Sequence, residues 1–182
     1  MATGFGVRLR QGVRALLADL RPLDEELAAR TLDAVQLALF RRMTRSEQLH
    51  SLNVLRDVLA QAAETPRDLA QAALLHDVGK TLCPLSVAQR SLAVVIATLW
   101  PALDRRWRGA DPQAALEQLS TLPWWRVGSV VRYHHPAWGA QLAQSAGLSA
   151  RALWLIAHHA EAIDDHPHAA LLRRLQQADD RN

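Results

Sequence analysis

Residues 66–80 read PRDLAQAALLHDVGK, and this stretch decides both the fold class and the first candidate site. Leu69, Ala73 and His76 recur at helical spacing, so they share one stripe of a predicted helix. Gly79 is expected just past the end of that helix, because glycine is the residue most common at this position. The stretch therefore predicts a short helix that carries His76 on its inner side near its C-terminus.

Asp77 falls in the last turn of the same predicted helix, where the helix dipole is negative. A carboxylate there costs about 0.3–1 kcal/mol unless positive charge lies close. A divalent cation would reverse the sign, and so would Lys80, the only lysine among the 21 basic residues. Imidazole and carboxylate are ligands that Zn, Mn and Fe accept, so His76 and Asp77 are candidate metal ligands.

Apolar residues recur at helical spacing along almost the whole chain, and β-branched residues are sparse. The 182 residues are 49% hydrophobic and 21% charged, which is typical of one globular domain. We predict an all-α fold in which a helical segment over 1–43 precedes a metal-binding domain over 44–182, within one compact domain. The helices are predicted at 7–20, 24–43, 45–63, 66–78, 85–104, 112–119, 126–134, 136–146, 150–162 and 167–180.

Composition excludes several classes of protein. Cys83 is the only cysteine, so an intramolecular disulfide and a four-cysteine zinc site are both impossible. A single thiol fits a reducing compartment, and we expect the cytoplasm. The longest nearly apolar run, 92–100, is far short of the roughly 20 residues that span a bilayer, and residues 1–20 lack the apolar core of a signal peptide. A net charge of +3 is small for a nucleic-acid-binding protein.

Two further candidate ligands lie on predicted helices on either side of this stretch in sequence. His50 follows a capping box formed by Thr44 and Glu47, and it lies on an inward-facing stripe. Asp179 shares a stripe with Leu172 in the last predicted helix, which makes it an inward-facing carboxylate. A buried carboxylate without a partner costs several kcal/mol, so Asp179 needs a cation.

Two pairs of consecutive histidines complete the set of candidates. Pro136 is expected at the first position of a new helix, and His135 is then its N-cap. His158 and His159 point about 100° apart on one helix, so they cannot occupy the same stripe. Periodicity does not choose between these two side chains.

The ordered set of histidines and aspartates resembles the signature of the HD-domain metal-dependent phosphohydrolases. The segment 73–80 is similar to the His-Asp-Ile-Gly-Lys stretch of that family, and 135–159 resembles the segment that carries two additional histidines in its dinuclear branch. Ala178-Asp179 resembles the closing Ala-Asp of the family. The resemblance covers roughly residues 44–182. No Gly-Tyr-Pro triplet follows the pair at 158–159, so a cyclic-di-GMP phosphodiesterase of the branch that has the triplet is not expected.

The resemblance implies an HD-type helical bundle with one or two divalent ions (Fe, Mn, Mg or Zn). It implies hydrolysis of a phosphate ester, nucleotide-like or cyclic-nucleotide-like, by water that the metal activates. Asp77 would guide that water, Lys80 would neutralise the phosphoryl oxygens, and His159 would donate a proton to the leaving group. Arg45 would contact the phosphate. The implied ligands are His50, His76, Asp77, His135, His158 and Asp179.

Three other functions compete with this one. A non-catalytic metal- or nucleotide-binding regulator and a di-iron oxygenase would use a similar ligand set. Residues 141–156 also read like a helix-turn-helix with Gly147 in the turn, although only Arg151 could reach a base edge or a phosphate. We therefore expect a small phosphorylated substrate as the partner, with no nucleic acid and no membrane span.

Residues 101–126 are rich in Trp and Arg and do not fit the motif. They are predicted to be irregular and to cover the main helical body. Such residues serve in interfacial membrane contact, in core packing, or over a phosphate-binding cleft. On the last interpretation, Arg105 and Arg108 would assist the binding of an anionic substrate.

Overall fold

The computed structural model describes residues 22–182 of the chain, and every regular element in that range is helical. The all-α prediction is therefore confirmed, while the helix predicted at 7–20 lies outside the described residues. Short 3₁₀ turns cover Val78–Leu82 and Leu119–Thr121. The α-helices are α1 Glu25–Thr31, α2 Ala34–Phe40, α3 Arg45–Ala60, α4 Arg67–Leu75, α5 Val87–Leu99, α6 Pro101–Arg108, α7 Pro112–Gln118, α8 Trp124–Ser145, α9 Ala150–His158 and α10 Ala169–Asp179.

Side-chain caps set the starts of two of the helices that carry candidate ligands, α3 and α9. At α3 the predicted capping box is present, with the Thr44 hydroxyl accepting from the Glu47 N–H at 3.4 Å and the Glu47 carboxylate accepting from the Thr44 N–H at 2.9 Å. At α9 the Ser149 hydroxyl accepts from the Ala152 N–H at 3.2 Å. Such caps satisfy backbone donors that a helix start leaves without partners.

The break predicted at Pro136 is wrong, because α8 runs through this proline as one helix of 22 residues. Proline has no N–H, so the carbonyl of Arg132 loses its helical donor. The His135 side chain takes that place, and its Nδ1 lies 3.0 Å from the Arg132 carbonyl oxygen. His135 is thus an inner residue of a continuous helix and not an N-cap.

Several other boundaries differ from the prediction. The predicted helix 85–104 is divided at Trp100 into α5 and α6. The helix predicted over 66–78 ends at Leu75, so Gly79 lies inside the following 3₁₀ turn and does not cap the helix. The predicted helix 24–43 divides at Leu32, which is extended, and Asp33 caps the second half with its own capping box. The stretch 101–126 is not irregular, since it contains both α6 and α7. Asp111 caps α7 by accepting from the Gln113 and Ala114 N–H groups at 2.8 and 3.3 Å.

One large apolar core joins most of the helices, and a smaller one lies beneath the Trp- and Arg-rich stretch. Ala28 of α1 and Phe40 of α2 are fully buried in the large core, so the residues described before α3 pack with those after it. Trp138 of α8 centres the smaller core, with Leu116 of α7 packed against it. Part of the stretch 101–126 therefore completes a core.

Between residues 22 and 182, no single helix has the length and apolar character needed to cross a membrane. Among the described residues, only the segments Arg67–Leu82 and Val87–Leu99 taken together have that length and apolar character, and the two are bent by 104° relative to each other.

Candidate metal centre

Five helices and one turn bring the candidate ligands to a single point. His50 comes from α3, His76 from the C-terminal end of α4, and His135 from the middle of α8. His159 and Asp179 come from the C-terminal ends of α9 and α10, and Asp77 lies between α4 and the following 3₁₀ turn. The structure therefore collects residues from 50 to 179 in one cluster.

Gly79 makes this convergence possible because its backbone lies directly against α8. A Cβ atom at Gly79 would lie 2.0 Å from the His135 carbonyl oxygen and 2.7 Å from the Gly139 nitrogen, which no side chain tolerates. Gly139 of α8 faces Gly79 across this contact, and a Cβ atom at Gly139 would lie 3.2 Å from the Gly79 nitrogen. The two glycines let the 3₁₀ turn approach α8 closely enough to place Asp77 beside His135.

One half of the cluster contains two histidines between two carboxylates. His50 Nε2 lies 2.8 Å from Asp179 Oδ1 and 4.0 Å from Asp77 Oδ2. His76 Nε2 lies 3.6 Å from Asp179 Oδ1 and 3.7 Å from Asp77 Oδ2, and it is buried without a hydrogen-bond partner. Burying a polar atom without a partner costs free energy, and a cation between these groups would give His76 Nε2 the partner that it lacks.

The other half contains two histidines that face each other across the second oxygen of Asp77. His135 Nε2 and His159 Nε2 lie 3.3 and 3.9 Å from Asp77 Oδ1, and the two nitrogens are 3.2 Å apart. Asp77 thus presents Oδ2 to the first pair of histidines and Oδ1 to the second. A carboxylate in that position can serve two neighbouring cations at once.

Backbone hydrogen bonds settle which nitrogen of each buried histidine carries the proton. His76, His135 and His159 each direct Nδ1 at the carbonyl oxygen three residues earlier, at 3.0, 3.0 and 2.9 Å. A carbonyl oxygen only accepts, so Nδ1 donates and Nε2 keeps its lone pair. This is the arrangement by which proteins orient metal-binding imidazoles.

The two lone pairs of His135 and His159 would repel each other at 3.2 Å without a cation or a proton between them. A metal–nitrogen distance of about 2.0–2.1 Å places neighbouring ligand atoms about 2.8–3.4 Å apart, from octahedral to tetrahedral geometry. The observed separation lies in that range. Two sets of ligand atoms lie within 4.8 Å of one another and could each hold a metal ion, namely His50, His76, Asp77 and Asp77, His135, His159.

Burial and neighbouring charges shift the pKa values of the histidines and the carboxyl groups in the cluster. Burial lowers the pKa of His159 to about 3, with His76 and His135 adding to the effect, and burial also lowers the pKa of His135. Burial opposes the charge on Asp77 and Asp179, but the neighbouring groups together outweigh it, namely Lys80 with His76 and His135 at Asp77, and His50 with His76 at Asp179, so both carboxyl pKa values are lowered. The cluster therefore offers ionised carboxylates and, at His135 and His159, neutral imidazoles, which are the forms that bind metal.

The pKa of His76 shows that positive charge is favoured in the half of the cluster that contains His50 and His76. Burial lowers the pKa of His76, but Asp77 and Asp179 outweigh it, so the pKa is raised overall. A proton or a metal ion would supply that charge. Since the Nε2 atom makes no hydrogen bond that would hold a proton, a metal ion fits the geometry better.

The structure brings His159, and not His158, into the cluster. The His158 side chain is 31% exposed, pairs with Glu161 at 3.0 Å and lies against the Trp154 ring. Its assignment as a ligand is therefore replaced by His159. The proton-donor role expected for His159 also fits poorly, because a group with a pKa of about 3 carries no spare proton at neutral pH.

The cluster lies in a cleft of about 940 Å³ that is lined by three cationic side chains. Lys80 Nζ lies 2.6 Å from Asp77 Oδ2, and Arg90 and Arg132 project from α5 and α8. Sequence reasoning missed both arginines, since nothing in their local pattern distinguishes them from the other arginines of the chain. Arg45, Arg105 and Arg108 are not among the described residues that line the cleft.

Buried carboxylates hold the two arginines. Arg132 donates from Nη2 to Asp104 Oδ2 at 3.2 Å, and Arg90 donates from Nη2 to Glu47 Oε1 at 3.4 Å. Both acids are nearly inaccessible to solvent. Asp104 comes from α6, so the Trp- and Arg-rich stretch reaches the cleft indirectly, by positioning Arg132.

In the segment that reads like a helix-turn-helix, the side chain expected to reach DNA forms an ion pair with Asp68. Arg151 donates from Nε to Asp68 Oδ2 at 2.6 Å, and Ser149 donates its hydroxyl to Asp68 Oδ1 at 2.8 Å. The inner face of α9, including Leu155 and Ile156, is fully buried in the large core. The one side chain expected to reach DNA is therefore already engaged within the protein.

Comparison of the chain with protein-family models, curated proteins and solved structures gives no match. The side-chain geometry of the cluster and its cleft therefore carries the functional assignment.

Proposed function

We propose that this protein is a metal-dependent phosphohydrolase of the HD-domain type, which hydrolyses the phosphate ester of a small organic molecule in the cytoplasm. The observation that carries the proposal is the Nε2 atom of His76. It is buried, lacks a hydrogen-bond partner, and lies 3.6 and 3.7 Å from two carboxylates. One or two divalent ions would complete the site, with His50, His76, Asp77, His135, His159 and Asp179 as the ligands.

Divalent metal ions, when bound, supply Lewis acidity and lower the pKa of water to about 7. The residues of the chain hold and orient the reactants. Asp77 offers one oxygen to each half of the cluster, and Lys80, Arg90 and Arg132 bind phosphoryl oxygens. In the reaction, a water oxygen forms a bond to phosphorus while the bond from phosphorus to the ester oxygen breaks. The leaving alcohol takes up a proton, and inorganic phosphate is the second product.

Charge balance in the cleft also supports the proposal. Five carboxylate side chains line the cleft, against three cationic ones. A phosphate ester would be repelled by this excess of negative charge. Because one bound divalent ion cancels this excess and two reverse it, metal and anion should bind together, as a metal-dependent phosphohydrolase requires.

Metal content and a pair of adjacent histidines test the site. We expect elemental mass spectrometry on untagged protein to find bound Fe, Mn or Zn, and His76→Ala and Asp77→Ala to lose it. The matched pair is His159→Ala against His158→Ala. The first should lower metal affinity about tenfold or more, because a ligand is lost, while the second should retain wild-type metal content. Equal retention by both variants, with unchanged circular dichroism, would contradict the ligand assignment.

Hydrolysis of phosphomonoesters by the metal-loaded protein tests the reaction itself. We expect release of inorganic phosphate that depends on added metal and disappears in Asp77→Ala. Oxygen uptake is the control, since an oxygenase would consume oxygen with the same ligands. Metal binding without phosphate release from any ester would favour the regulator, and oxygen consumption would favour the oxygenase.

A further inference from the structure

A second cavity of about 400 Å³, the side chamber, adjoins the cleft. It shares Lys80, Arg90, Arg132 and His135 with the cleft, so these four residues form the boundary between the two spaces. Beyond that boundary the walls are mainly apolar. They consist of Cys83, Leu85, Ala93, Val94, Gly128 and Val131.

The side chamber is built by two helices that pack closely, and not by loops. A Cβ atom on Gly128 of α8 would lie 2.4 Å from the Gln89 carbonyl oxygen of α5, so only glycine permits this contact. Gln89 also donates its side-chain amide to the Trp124 carbonyl at 3.3 Å, which ties the start of α5 to the start of α8. A cavity between helices fixed in this way exists before a ligand arrives, as most small-molecule sites do.

We propose that the side chamber binds a compact apolar group of the substrate, such as an aromatic ring, while the phosphoryl group lies at the cationic boundary. This inference rests on the proposed hydrolysis. Lys80, Arg90 and Arg132 mark where a phosphate must lie, and the adjoining space is the one into which its ester group can extend. The substrate class is therefore an apolar organic phosphate.

The chemistry of the walls also argues against a nucleobase in this space. Among the described residues that line the side chamber, Cys83 is the only neutral polar side chain past the boundary, and a thiol is a weak donor. The hydrogen-bonding edges of a base would be left without side-chain partners there, and burying them would cost free energy. The chamber thus favours apolar bulk over the nucleotide expected from the sequence resemblance.

Benzyl phosphate and glycerol phosphate test the proposal, because both have alkoxide leaving groups and differ mainly in apolar character. We expect kcat/KM to favour benzyl phosphate in the metal-loaded protein. Val94→Phe should fill the chamber and lower kcat/KM for benzyl phosphate about tenfold or more, with a much smaller effect on glycerol phosphate. Val95→Phe is the matched control, since Val95 lies on the same helix, is 37% exposed and does not line the chamber.

A second variant keeps the test decisive if Val94→Phe does not fold. Leu85→Ala enlarges the chamber and removes apolar contacts, so it should also reduce the preference for benzyl phosphate. If both esters are hydrolysed and neither variant changes the ratio of their kcat/KM values, the side chamber is not the specificity pocket and the hydrolase proposal stands.

Cys83 supplies a readout that does not depend on turnover. As the only cysteine, it reports directly on occupancy of the side chamber through its rate of alkylation by N-ethylmaleimide. The non-hydrolysable benzylphosphonate should slow that rate in the wild-type protein and in Val95→Phe, but not in Val94→Phe. If this protection is seen while no ester is hydrolysed, the hydrolase proposal fails and the chamber assignment stands. Equal protection in all three proteins, or none in any, would overturn the chamber assignment.

Discussion

Replacing Gly79 by alanine should uncouple the 3₁₀ turn from α8 and disable the metal centre. The added Cβ would lie 2.0 Å from the carbonyl oxygen of His135, whereas real Cβ contacts are at least 3.0 Å, so the two backbones must separate by about 1 Å. Overpacking of this kind typically costs about 1–3 kcal/mol of unfolding free energy. Asp77 lies two residues before the substitution, so the same displacement moves the carboxylate that both halves of the cluster share.

We expect Gly79→Ala to unfold at lower urea concentration and to bind metal at least about tenfold more weakly than the wild type. Urea titration and elemental analysis measure the two effects. Gly128→Ala is the matched control, because its Cβ would lie 2.4 Å from the Gln89 carbonyl oxygen, away from the cluster. It should lose similar stability and keep its metal. The reasoning is refuted if Gly79→Ala retains full metal content and its unfolding free energy changes by less than about 0.5 kcal/mol.

Three further predictions concern the surroundings of the cluster. Pro136→Ala restores a backbone donor to the Arg132 carbonyl, so His135 Nδ1 must share that oxygen and has the Val131 carbonyl, at 3.2 Å, as its other partner; metal affinity, measured by chelator competition, should fall by up to about tenfold with the helix content unchanged. Asp104→Asn weakens the hold on Arg132 and should raise KM up to about fivefold with kcat nearly constant in steady-state kinetics; a change in kcat alone would count against this role. Burial raises the pKa of the Cys83 thiol, so at about pH 8 Cys83 forms less thiolate than an exposed thiol does. Iodoacetamide should therefore react more slowly with Cys83 than with glutathione, and the difference between the two rates should narrow as the pH rises.

The helical class and most residues of the cluster could be predicted because both depend on local patterns. Apolar spacing predicts helices without regard to how they pack, and the capping box at Thr44 places the start of α3 where the structure has it. Stripe analysis placed Asp179 inward, and Asp179 Oδ1 lies 2.8 Å from His50 Nε2. Local rules failed at Pro136, because a proline is tolerated inside a helix when a side chain replaces the missing donor.

The choice between His158 and His159 could not be made from periodicity, since either stripe could face inward. Packing decides it: Ala152 and Leu155, which share the stripe of His159, are fully buried, whereas Trp154 beside His158 is only partly buried. The sequence pattern did not identify the arginines of the cleft either. Arg90 and Arg132 are held at the site by Glu47 and Asp104, and those contacts join residues 43 and 28 positions apart in the chain.

The amino-acid sequence by itself determined an all-α chain with histidines and aspartates on inward stripes, because helical periodicity and capping act over a few residues. Only the tertiary structure decided that Asp77 turns one oxygen to each pair of histidines, and that an apolar side chamber opens beside three cations. Both features depend on how closely two backbones approach, at Gly79 against α8 and at Gly128 against α5. Such distances result from the packing of whole helices, which no short stretch of sequence encodes.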